Sequence, residues 1–344
     1  MRALVVPIIF SIFLCWPSHA QSQSYYQGKT ITIISGTTAG SQYDAYARLI
    51  AAHFGKHVPG KPNVLVQNMP GGGSMVAANY VYGVAKPDGL AIGSINPALY
   101  FNQLAQRKEV QFDWAKFQWL GSPDRSDHLL YMRTDTPYKT IHDVRKATTP
   151  PKCTATATGT TGHYLPKLLE ETIGTKFEII LGYPGGPEMD LAVERNEAQC
   201  RAFTVTAWFS GEPYATWRKN NFARVLIQTG RTQRDERLPD VPTLYELMDQ
   251  YKTPENDRRL ADVVLASNIF GRPYVVAPGV PADQVKILRE AFAKTMVDPE
   301  FLAEAKKRNL EIRPSAGEEL EKLAKTIVVQ PPEVVERMKK LLGK

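Results

Sequence analysis

The sequence predicts a two-lobed α/β protein. Its 344 residues are 43% hydrophobic and 22% charged, a balance typical of a globular protein. One core seldom organises more than about 250–300 residues, so we expect two lobes. Short β-branched runs alternate with segments of helical spacing near the start of the chain, and the same alternation restarts in its middle. Two sheets flanked by helices follow from these observations.

The N-terminus has the features of a secretory signal. Arg2 is followed by the apolar run ALVVPIIFSIFLCW, which is short for a membrane span, and Ser18-His19-Ala20 supplies small residues for cleavage. An N-terminal membrane anchor is the competing interpretation. No later segment is apolar for long enough to cross a bilayer. We therefore expect cleavage after Ala20 and a mature protein exported to the periplasm.

The charge pattern favours a small anionic ligand over nucleic acid. Lysine and arginine exceed the acidic residues by 42 to 35, giving a formal net charge of +7. The densest basic runs, at 306–308 and 339–340, lie on helical patterns beside glutamates and are typical of solvated helix faces. A mild positive balance steers anions toward the protein.

Two loops of small residues in the first lobe predict an anion seat. The strand Thr30–Ser35 runs into the loop 36–41, and the strand Asn63–Asn68 runs into NMPGGGS, residues 68–74; each loop opens a helix. Such a turn points backbone N–H groups at one place, where the helix dipole adds positive charge. A third strand, Ala91–Ile95, ends at Asn96. In a mostly parallel sheet these loops share the edge where ligands bind.

The second lobe repeats this arrangement. Its predicted strands are 129–133, 153–158, 177–181 and 201–206, and loops of glycine, threonine and proline follow at 158–163 and 182–187. The chain ends in helices, of which the last, from about 318 to 340, is interrupted at Gln330-Pro331-Pro332. Trp114 and Trp119 fit a packed core, whereas Trp208 is predicted at a strand end facing the cleft.

No pattern of catalytic or cofactor chemistry is found. The nucleophile elbow G-x-S-x-G, H-E-x-x-H, the P-loop lysine and G-x-G-x-x-G are all missing from the sequence, so we expect neither an enzyme nor a cofactor. His53 and His57 have metal-binding spacing but no evident third ligand, so solvent-facing histidines and no metal are expected. Cys153 and Cys200 each begin a strand, and a disulfide and two buried thiols both remain open.

Several motifs together carry a family resemblance. In chain order they are YDAYAR with Asp44 and Arg48, NMPGGG at 68–73, Pro87-Asp88-Gly89, Tyr183-Pro184-Gly185-Gly186, RLPDVPTL at 237–244 and Pro278-Gly279-Val280-Pro281. With them the chain resembles the Bug-type substrate-binding receptors of tripartite tricarboxylate transporters. The resemblance implies a type II periplasmic binding protein, in which two α/β lobes joined by two crossing strands close on a ligand like a Venus flytrap.

The resemblance also implies the site residues. A ligand carboxylate would be held by the first lobe, and the second lobe would close over the remainder. The implied first-lobe residues are Thr37, Thr38, Gly40, Ser41, Gly72, Gly73, Ser74 and Asn96. The implied second-lobe residues are Thr158, Thr160, Thr161, His163, Tyr183, Gly185, Gly186, Thr206 and Trp208. His163 suits ligand contact and structural hydrogen bonding equally, and the roles of Glu188 and Asp190 stay open. Asp44 and Arg48 are predicted to anchor the first loop.

Lobe boundaries and function follow from the same resemblance. Residues 1–20 would be the signal, 21–125 with 279–344 the first lobe, and 126–278 the second. The implied function is an extracytoplasmic, monomeric receptor that delivers a di- or tricarboxylate, an aromatic acid or an acidic amino acid to membrane permease subunits. The alternatives are a sensory subunit that presents the ligand to a two-component membrane kinase and, more distantly, an exported hydrolase.

Overall fold

The computed structural model describes residues 25–125, 127–230 and 233–343. The predicted signal and its cleavage site lie outside these residues. Within the described ranges, no helix combines the length and apolar character needed to cross a membrane.

Eleven strands among the described residues form two sheets. The first sheet has the order β11-β4-β10-β3-β1-β2 and the second has the order β7-β6-β8-β5-β9. The strands are β1 Thr30–Ser35, β2 Asn63–Asn68, β3 Ala91–Ser94, β4 Gln118–Ser122, β5 His128–Arg133, β6 Lys152–Thr154, β7 Glu178–Ile180, β8 Cys200–Thr204, β9 Ala223–Gln228, β10 Tyr274–Val276 and β11 Ser315–Ala316.

Fifteen α-helices of the described chain surround the sheets. They are α1 Gln42–Phe54, α2 Met75–Asn79, α3 Tyr100–Leu104, α4 Ile141–Lys146, α5 Thr161–Ile173, α6 Gly186–Glu194, α7 Val205–Phe209, α8 Tyr214–Lys219, α9 Leu244–Gln250, α10 Glu255–Leu265, α11 Ser267–Phe270, α12 Ala282–Met296, α13 Pro299–Lys307, α14 Gly317–Ile327 and α15 Pro332–Leu341. The predicted interruption of the last helix is confirmed, since α14 ends before the Pro331-Pro332 pair and α15 begins within it.

Both sheets are mixed, and the prediction of mostly parallel sheets was wrong. The strands that carry the predicted ligand loops do pair in parallel: β1 with β2 and β3, and β6 with β7 and β8. The chain crosses between the sheets twice, from β4 to β5 and from β9 to β10. On its return β10 runs antiparallel to both β3 and β4. The crossings thus account for the antiparallel pairing of β5 and β10, and β11 adds a further antiparallel pair with β4.

The strand predicted at 201–206 is shorter than the sequence indicates. The hydroxyl of Thr204 accepts a hydrogen bond of 3.3 Å from the backbone N–H of Ala207 and so caps helix α7. Trp208 consequently lies on a helix instead of at a strand end. This capping threonine has the same β-branched character as a strand residue, which explains the error.

The C-terminal helix α15 contacts both lobes. Arg107, just beyond α3, donates a hydrogen bond of 2.5 Å to the carbonyl of Leu342. On the other side, Lys340 lies 3.1 Å from the carboxylate of Glu171 in α5. The helix therefore joins the two lobes along one side, and the lobe boundaries inferred from sequence stay predictions.

A disulfide joins the strands of the second sheet that lead to the predicted ligand loops. Cys153 of β6 and Cys200 of β8 are partners in the parallel register, and their sulfurs are bonded. Their Cα atoms are 4.4 Å apart and the cysteines are 47 residues apart in sequence. Of the two alternatives that the sequence left open, the structure has the disulfide.

We expect the Cys153→Ala/Cys200→Ala double variant to be less stable by about 4 kcal/mol, because a cross-link over a loop of this length restricts the unfolded chain. Urea unfolding under oxidising conditions measures the difference. Reductant should lower the stability of the wild type and leave the variant unchanged. Equal midpoints for the oxidised wild type and the variant would contradict the assignment.

Candidate ligand-binding site

A cavity of about 530 Å³ lies between the two lobes. Its first-lobe wall includes residues 40–43, where the first loop enters α1, together with Asn96 after β3. Its second-lobe wall includes residues 160–162 and 185–187, where loops enter α5 and α6. The cavity has the size of sites that hold drug-sized organic molecules.

The first loop, residues 36–41, is held in place by Asp44. The carboxylate of Asp44 accepts hydrogen bonds from the backbone N–H of Gly40, from Arg48 Nε and from Asn68 Nδ2, each at 2.9 Å. Burial raises the pKa of Asp44, but these hydrogen bonds outweigh it and lower the pKa below its usual value. The carboxylate is therefore ionised and anchors the loop, as the sequence predicts.

Three helices start at the cavity with unpaired backbone donors. In α1 the N–H groups of Gln42 and Tyr43 make no hydrogen bond to any described residue, and the same holds for Thr161 and Gly162 in α5 and for Gly186 in α6. Helix N-termini carry partial positive charge, and their free N–H groups bind anions. Three such termini line this one cavity.

The loops of the two lobes approach each other closely beside the cavity. Gly73 has a φ of 64°, and a Cβ built on it would lie 2.3 Å from Thr160 Cγ2 of the second lobe. A Cβ on Gly185 would lie 2.0 Å from Thr38 Oγ1 of the first lobe. Only residues without side chains allow such approach. The structure is thus a closed arrangement of the lobes.

A buried ion pair lies where the chain crosses between the lobes. Arg272, on the crossing into β10, bonds through Nη1 to Asp124, on the crossing into β5; their side chains are 2% and 0% exposed. Nη2 of Arg272 donates to Thr204 Oγ1 at 2.8 Å. Burial lowers the pKa of Arg272. Other effects, of which the charge of Asp124 is the largest, outweigh burial and raise that pKa above its usual value. Arg272 also lines the cavity.

A second buried pair lies in the wall contributed by the second lobe. Arg201 of β8 donates through Nη1 to Asp190 of α6 at 2.5 Å. The same carboxylate accepts from Tyr214 at 2.5 Å and from Tyr131 at 3.1 Å. Asp190 is therefore a buried carboxylate with protein partners on both oxygens, and it also lines the cavity.

Two histidines near the cavity are held neutral. His128, which lines the cavity, has its pKa lowered to about 3, first by burial and then by the charge of Arg272. Burial, followed by Lys167 and Arg107, lowers the pKa of His163 to about 4. His163 accepts a 3.4 Å hydrogen bond from the backbone N–H of Gly159, so its ring supports the loop.

Eight predicted site residues line the cavity, and nine do not. Those in the lining are Thr37, Gly40, Ser41, Asn96, Thr160, Thr161, Gly185 and Gly186. Those outside it are Thr38, Gly72, Gly73, Ser74, Thr158, His163, Tyr183, Thr206 and Trp208. No bound ligand tests either group, so their roles in binding stay predictions.

The residues outside the lining have other contacts. Gly73 approaches the opposite lobe, and the hydroxyl of Ser74 donates to the carbonyl of Gly36 at 3.0 Å. Thr206 Oγ1 donates to Asp124 at 3.3 Å within the crossing network. The ring of Trp208 is stacked on Tyr131, with centroids 5.5 Å apart, inside an aromatic core. The structure therefore gives Trp208 a packing role, like that of the buried Trp114 and Trp119.

The pair His53 and His57 is not solvent-facing, contrary to the sequence prediction. His53 Nε2 lies 2.7 Å from Glu304, and His57 Nε2 lies 2.8 Å from Asp298. His53, Asp298 and Glu300 offer atoms close enough to share a cation. However, Lys56 Nζ already pairs with Asp298 at 2.8 Å and Glu300 at 2.6 Å. The cluster thus joins α1 to α13 through internal ion pairs.

Sequence reasoning missed several polar side chains of the lining, notably Tyr43, His128, Arg201 and Arg272. Arg201 begins the strand-like run RAFTV and Arg272 interrupts the run IFGRPYVV, and a lone arginine in such a run could have signalled a buried, partnered charge.

Two α/β lobes that close over a cavity at their strand ends define a type II periplasmic binding protein. The model of the family described as "Tripartite tricarboxylate transporter family receptor" matches residues 47–339, and this chain belongs to that family. The family consists of transport receptors and not of enzymes, in agreement with the prediction of a binding protein.

A curated relative supports the assignment. The "UPF0065 protein in the TAR-I ttuE-ttuC' intergenic region" of Agrobacterium vitis is 31% identical over 241 residues. The match covers 67% of this chain and spans 64% of the length of that relative.

Solved structures share the fold. The periplasmic binding protein BugD is 19% identical, with a TM-score of 0.71 over 92% of this chain and 98% of BugD. MatC from Rhodopseudomonas palustris, with bound malate, is 17% identical, with a TM-score of 0.69 over 91% of this chain and 99% of MatC. An R. palustris protein with adipate is 19% identical, with a TM-score of 0.69 over 92% and 97% of the two chains.

The depressed histidine pKa values predict a loss of stability in mild acid. A histidine in the unfolded chain has a pKa near 6.5, so below that pH the unfolded chain binds protons that His128 and His163 do not bind in the folded protein. The free energy of unfolding is therefore unaffected by these histidines above pH 6.5 and decreases as the pH falls toward 4. Denaturant unfolding at pH 7 and pH 5 should differ by up to about 2 kcal/mol per histidine. The His128→Gln variant should lose less than the wild type, and an equal decline would contradict the prediction.

Proposed function

We propose that the protein is a periplasmic receptor that captures a small organic carboxylate between its lobes and delivers it to the membrane subunits of a tripartite tricarboxylate-type transporter. The observation that carries the proposal is the meeting of three helix N-termini, those of α1, α5 and α6, at one cavity. Their free N–H groups suit a carboxylate, which accepts several hydrogen bonds at once.

Polar side chains of the lining also suit this ligand. Thr37 and Ser41 present hydroxyls that bond each other at 2.6 Å, and Asn96 also lines the cavity. Hydroxyl and amide donors complement backbone N–H groups around a carboxylate. Because α1 belongs to the first lobe and α5 and α6 to the second, a bound carboxylate would contact both lobes.

Contact with both lobes is what couples binding to closure. A ligand that bonds both walls stabilises the closed arrangement relative to an open one, by its difference in affinity for the two. The contacts of Gly73 with Thr160 and of Gly185 with Thr38 are available only in the closed form. The membrane subunits would then recognise the closed form.

Relatives and the sequence support the ligand class and the compartment. The family description names tricarboxylate transport, and solved neighbours carry malate and adipate. The apolar run after Arg2 has the form of an export signal, and the Cys153–Cys200 disulfide suits an oxidising compartment.

A panel of carboxylates tests the proposal. Thermal unfolding of the protein without residues 1–20 should shift upward with at least one acid and not with its amide, since a ligand at 100 times its Kd adds about 2.7 kcal/mol to stability. A shift with the amide alone, or with no acid across the panel, would contradict carboxylate capture.

Delivery is tested in cells. Deletion of the gene should abolish uptake of the acid identified by the panel, and the wild-type gene should restore it. Intact uptake together with a lost transcriptional response to that acid would favour a sensory subunit over a transport receptor.

The Gly73→Val variant tests closure. Overlap with Thr160 should cost the closed form about 1–3 kcal/mol, and the affinity for the acid should fall by roughly 5- to 150-fold. Gly28→Val is the matched control, because Gly28 has a similar φ of 70° and its Cβ would meet nothing within 4 Å. Calorimetric titration should show a loss in the Gly73 variant only. Equal affinities in both variants would contradict the closure contact.

A further inference from the structure

The cavity between the lobes continues along one face of α6. Residues at positions i, i+3, i+4 and i+7 of this helix line it and therefore share a face; they are Pro187, Asp190, Leu191 and Glu194. An α-helix rises 1.5 Å per residue, so the stretch from Gly186 to Glu194 runs about 12 Å. Because α6 begins at the proposed carboxylate seat, its far end lies well away from that seat.

The opposite wall of this extension is the chain segment 207–214, between the end of α7 and the start of α8. The residues of this segment in the lining are Ala207, Ser210, Glu212, Pro213 and Tyr214. Ser210 Oγ donates to the carbonyl of Ala207 at 2.7 Å, and Tyr214 donates to Asp190 of α6 at 2.5 Å. The tyrosine therefore joins the two walls. We call the space between the α6 face at 187–194 and the segment 207–214 the α6 groove.

Apolar side chains line both walls of the α6 groove. They are Met189, Leu191, Phe203, Ala207, Pro213 and Tyr214. Asp190 and Arg201, which lie among them, pair with each other at 2.5 Å, so their charges largely cancel. Farther along the groove, its described lining includes no lysine or arginine. The groove therefore suits an apolar chain better than a second anionic group.

The far end of the α6 groove is open to solvent and lined by two acids. Leu191 is 42% exposed although it lines the cavity, and Glu194 and Glu212 are exposed on the two walls. Glu194 accepts a hydrogen bond of 3.0 Å from Trp217 Nε1, and Glu212 accepts one of 3.2 Å from the backbone N–H of Thr216. A ligand tail that reaches this end can continue into solvent, but a carboxylate there would meet two like charges.

We propose that the α6 groove binds the apolar tail of the ligand, so that the ligand class is an amphipathic monocarboxylic acid with an aliphatic or arylalkyl tail. The inference rests on the proposed function, which assigns the carboxylate to the helix N-termini. The tail leaves the protein between Glu194 and Glu212 and not through the contacts between the lobes. Closure around the carboxylate therefore does not limit the length of the tail.

Straight-chain monoacids from butyrate to decanoate test the groove by calorimetric titration, at concentrations below those at which they form micelles. The affinity should rise roughly two- to fourfold with each methylene that enters the groove, the upper value corresponding to about 0.8 kcal/mol. The rise should end once the tail passes Glu194, because further methylenes reach solvent. Decanedioate, which adds a carboxylate at the far end, should bind roughly 5- to 20-fold more weakly than decanoate.

Variants of the groove locate the tail. Leu191→Asp places a charge in the groove and should lower the ratio of octanoate affinity to butyrate affinity by roughly 5- to 20-fold. Leu302→Asp is the matched control, because Leu302 is a helical leucine that is 39% exposed but does not line the cavity. It should keep the wild-type ratio. Glu194→Gln/Glu212→Gln removes both charges at the far end and should bring the affinities for decanedioate and decanoate together.

The outcomes distinguish this inference from the proposed function. Butyrate that binds as tightly as octanoate would overturn the groove and leave carboxylate capture intact. The same ratio of affinities in the Leu191 and Leu302 variants would place the tail elsewhere and overturn the assignment. Decanedioate that binds the wild type as tightly as decanoate would overturn the selection of monoacids. No binding of any acid, short or long, would contradict the proposed function itself.

Discussion

The buried pair of Arg272 and Asp124 is the interaction on which the two-lobed arrangement depends. The two residues lie on the two crossings between the sheets, and the guanidinium also bonds to Thr204 in the second lobe. Breaking a pair this deeply buried typically costs about 3–5 kcal/mol, because the remaining charge stays desolvated. The pair fixes how both crossings enter their sheets, and hence how the strand ends of one lobe face those of the other. The rings of Tyr43 and Tyr46 lie 5.5 and 4.7 Å from the cation and enclose it further.

The chemistry of the cavity divides between backbone and side chains. The N–H groups of α1, α5 and α6 supply donors whose positions are set by the helices and whose charge does not titrate. The guanidinium of Arg201 in β8 lies beside the N-terminus of α6, where it donates to the carbonyl of Gly186 at 3.3 Å. Burial and the nearby Arg272 lower the pKa of His128, so its ring is neutral across the physiological range.

Local patterns in the sequence predicted the local structure well. The small-residue loops ahead of α1, α5 and α6 were recognisable because turn residues precede helical periodicity, and seven of the predicted residues at these helix starts line the cavity. Contacts between segments that are distant in the chain were harder to predict from the sequence. Gly73 was assigned to the ligand, whereas its partner is Thr160, 87 residues along the chain. Arg201 and Arg272 were missed because their partners, Asp190 and Asp124, are identifiable only once the strands are placed. Trp208 was misplaced because Thr204 ends its strand early through a cap that looks like strand sequence.

The helix N-termini have a consequence for how such proteins diverge. A carboxylate held by backbone N–H groups is indifferent to most side-chain replacements around it, provided that the helices start at the same points. Sequences can therefore drift far while the helix starts persist, and the fold is shared with BugD and MatC at 17–19% identity. Positions that line the cavity through their side chains can change in single steps. Over evolutionary time, one fold can thus change its ligand specificity through side chains while the helix N-termini that would bind a carboxylate stay in place.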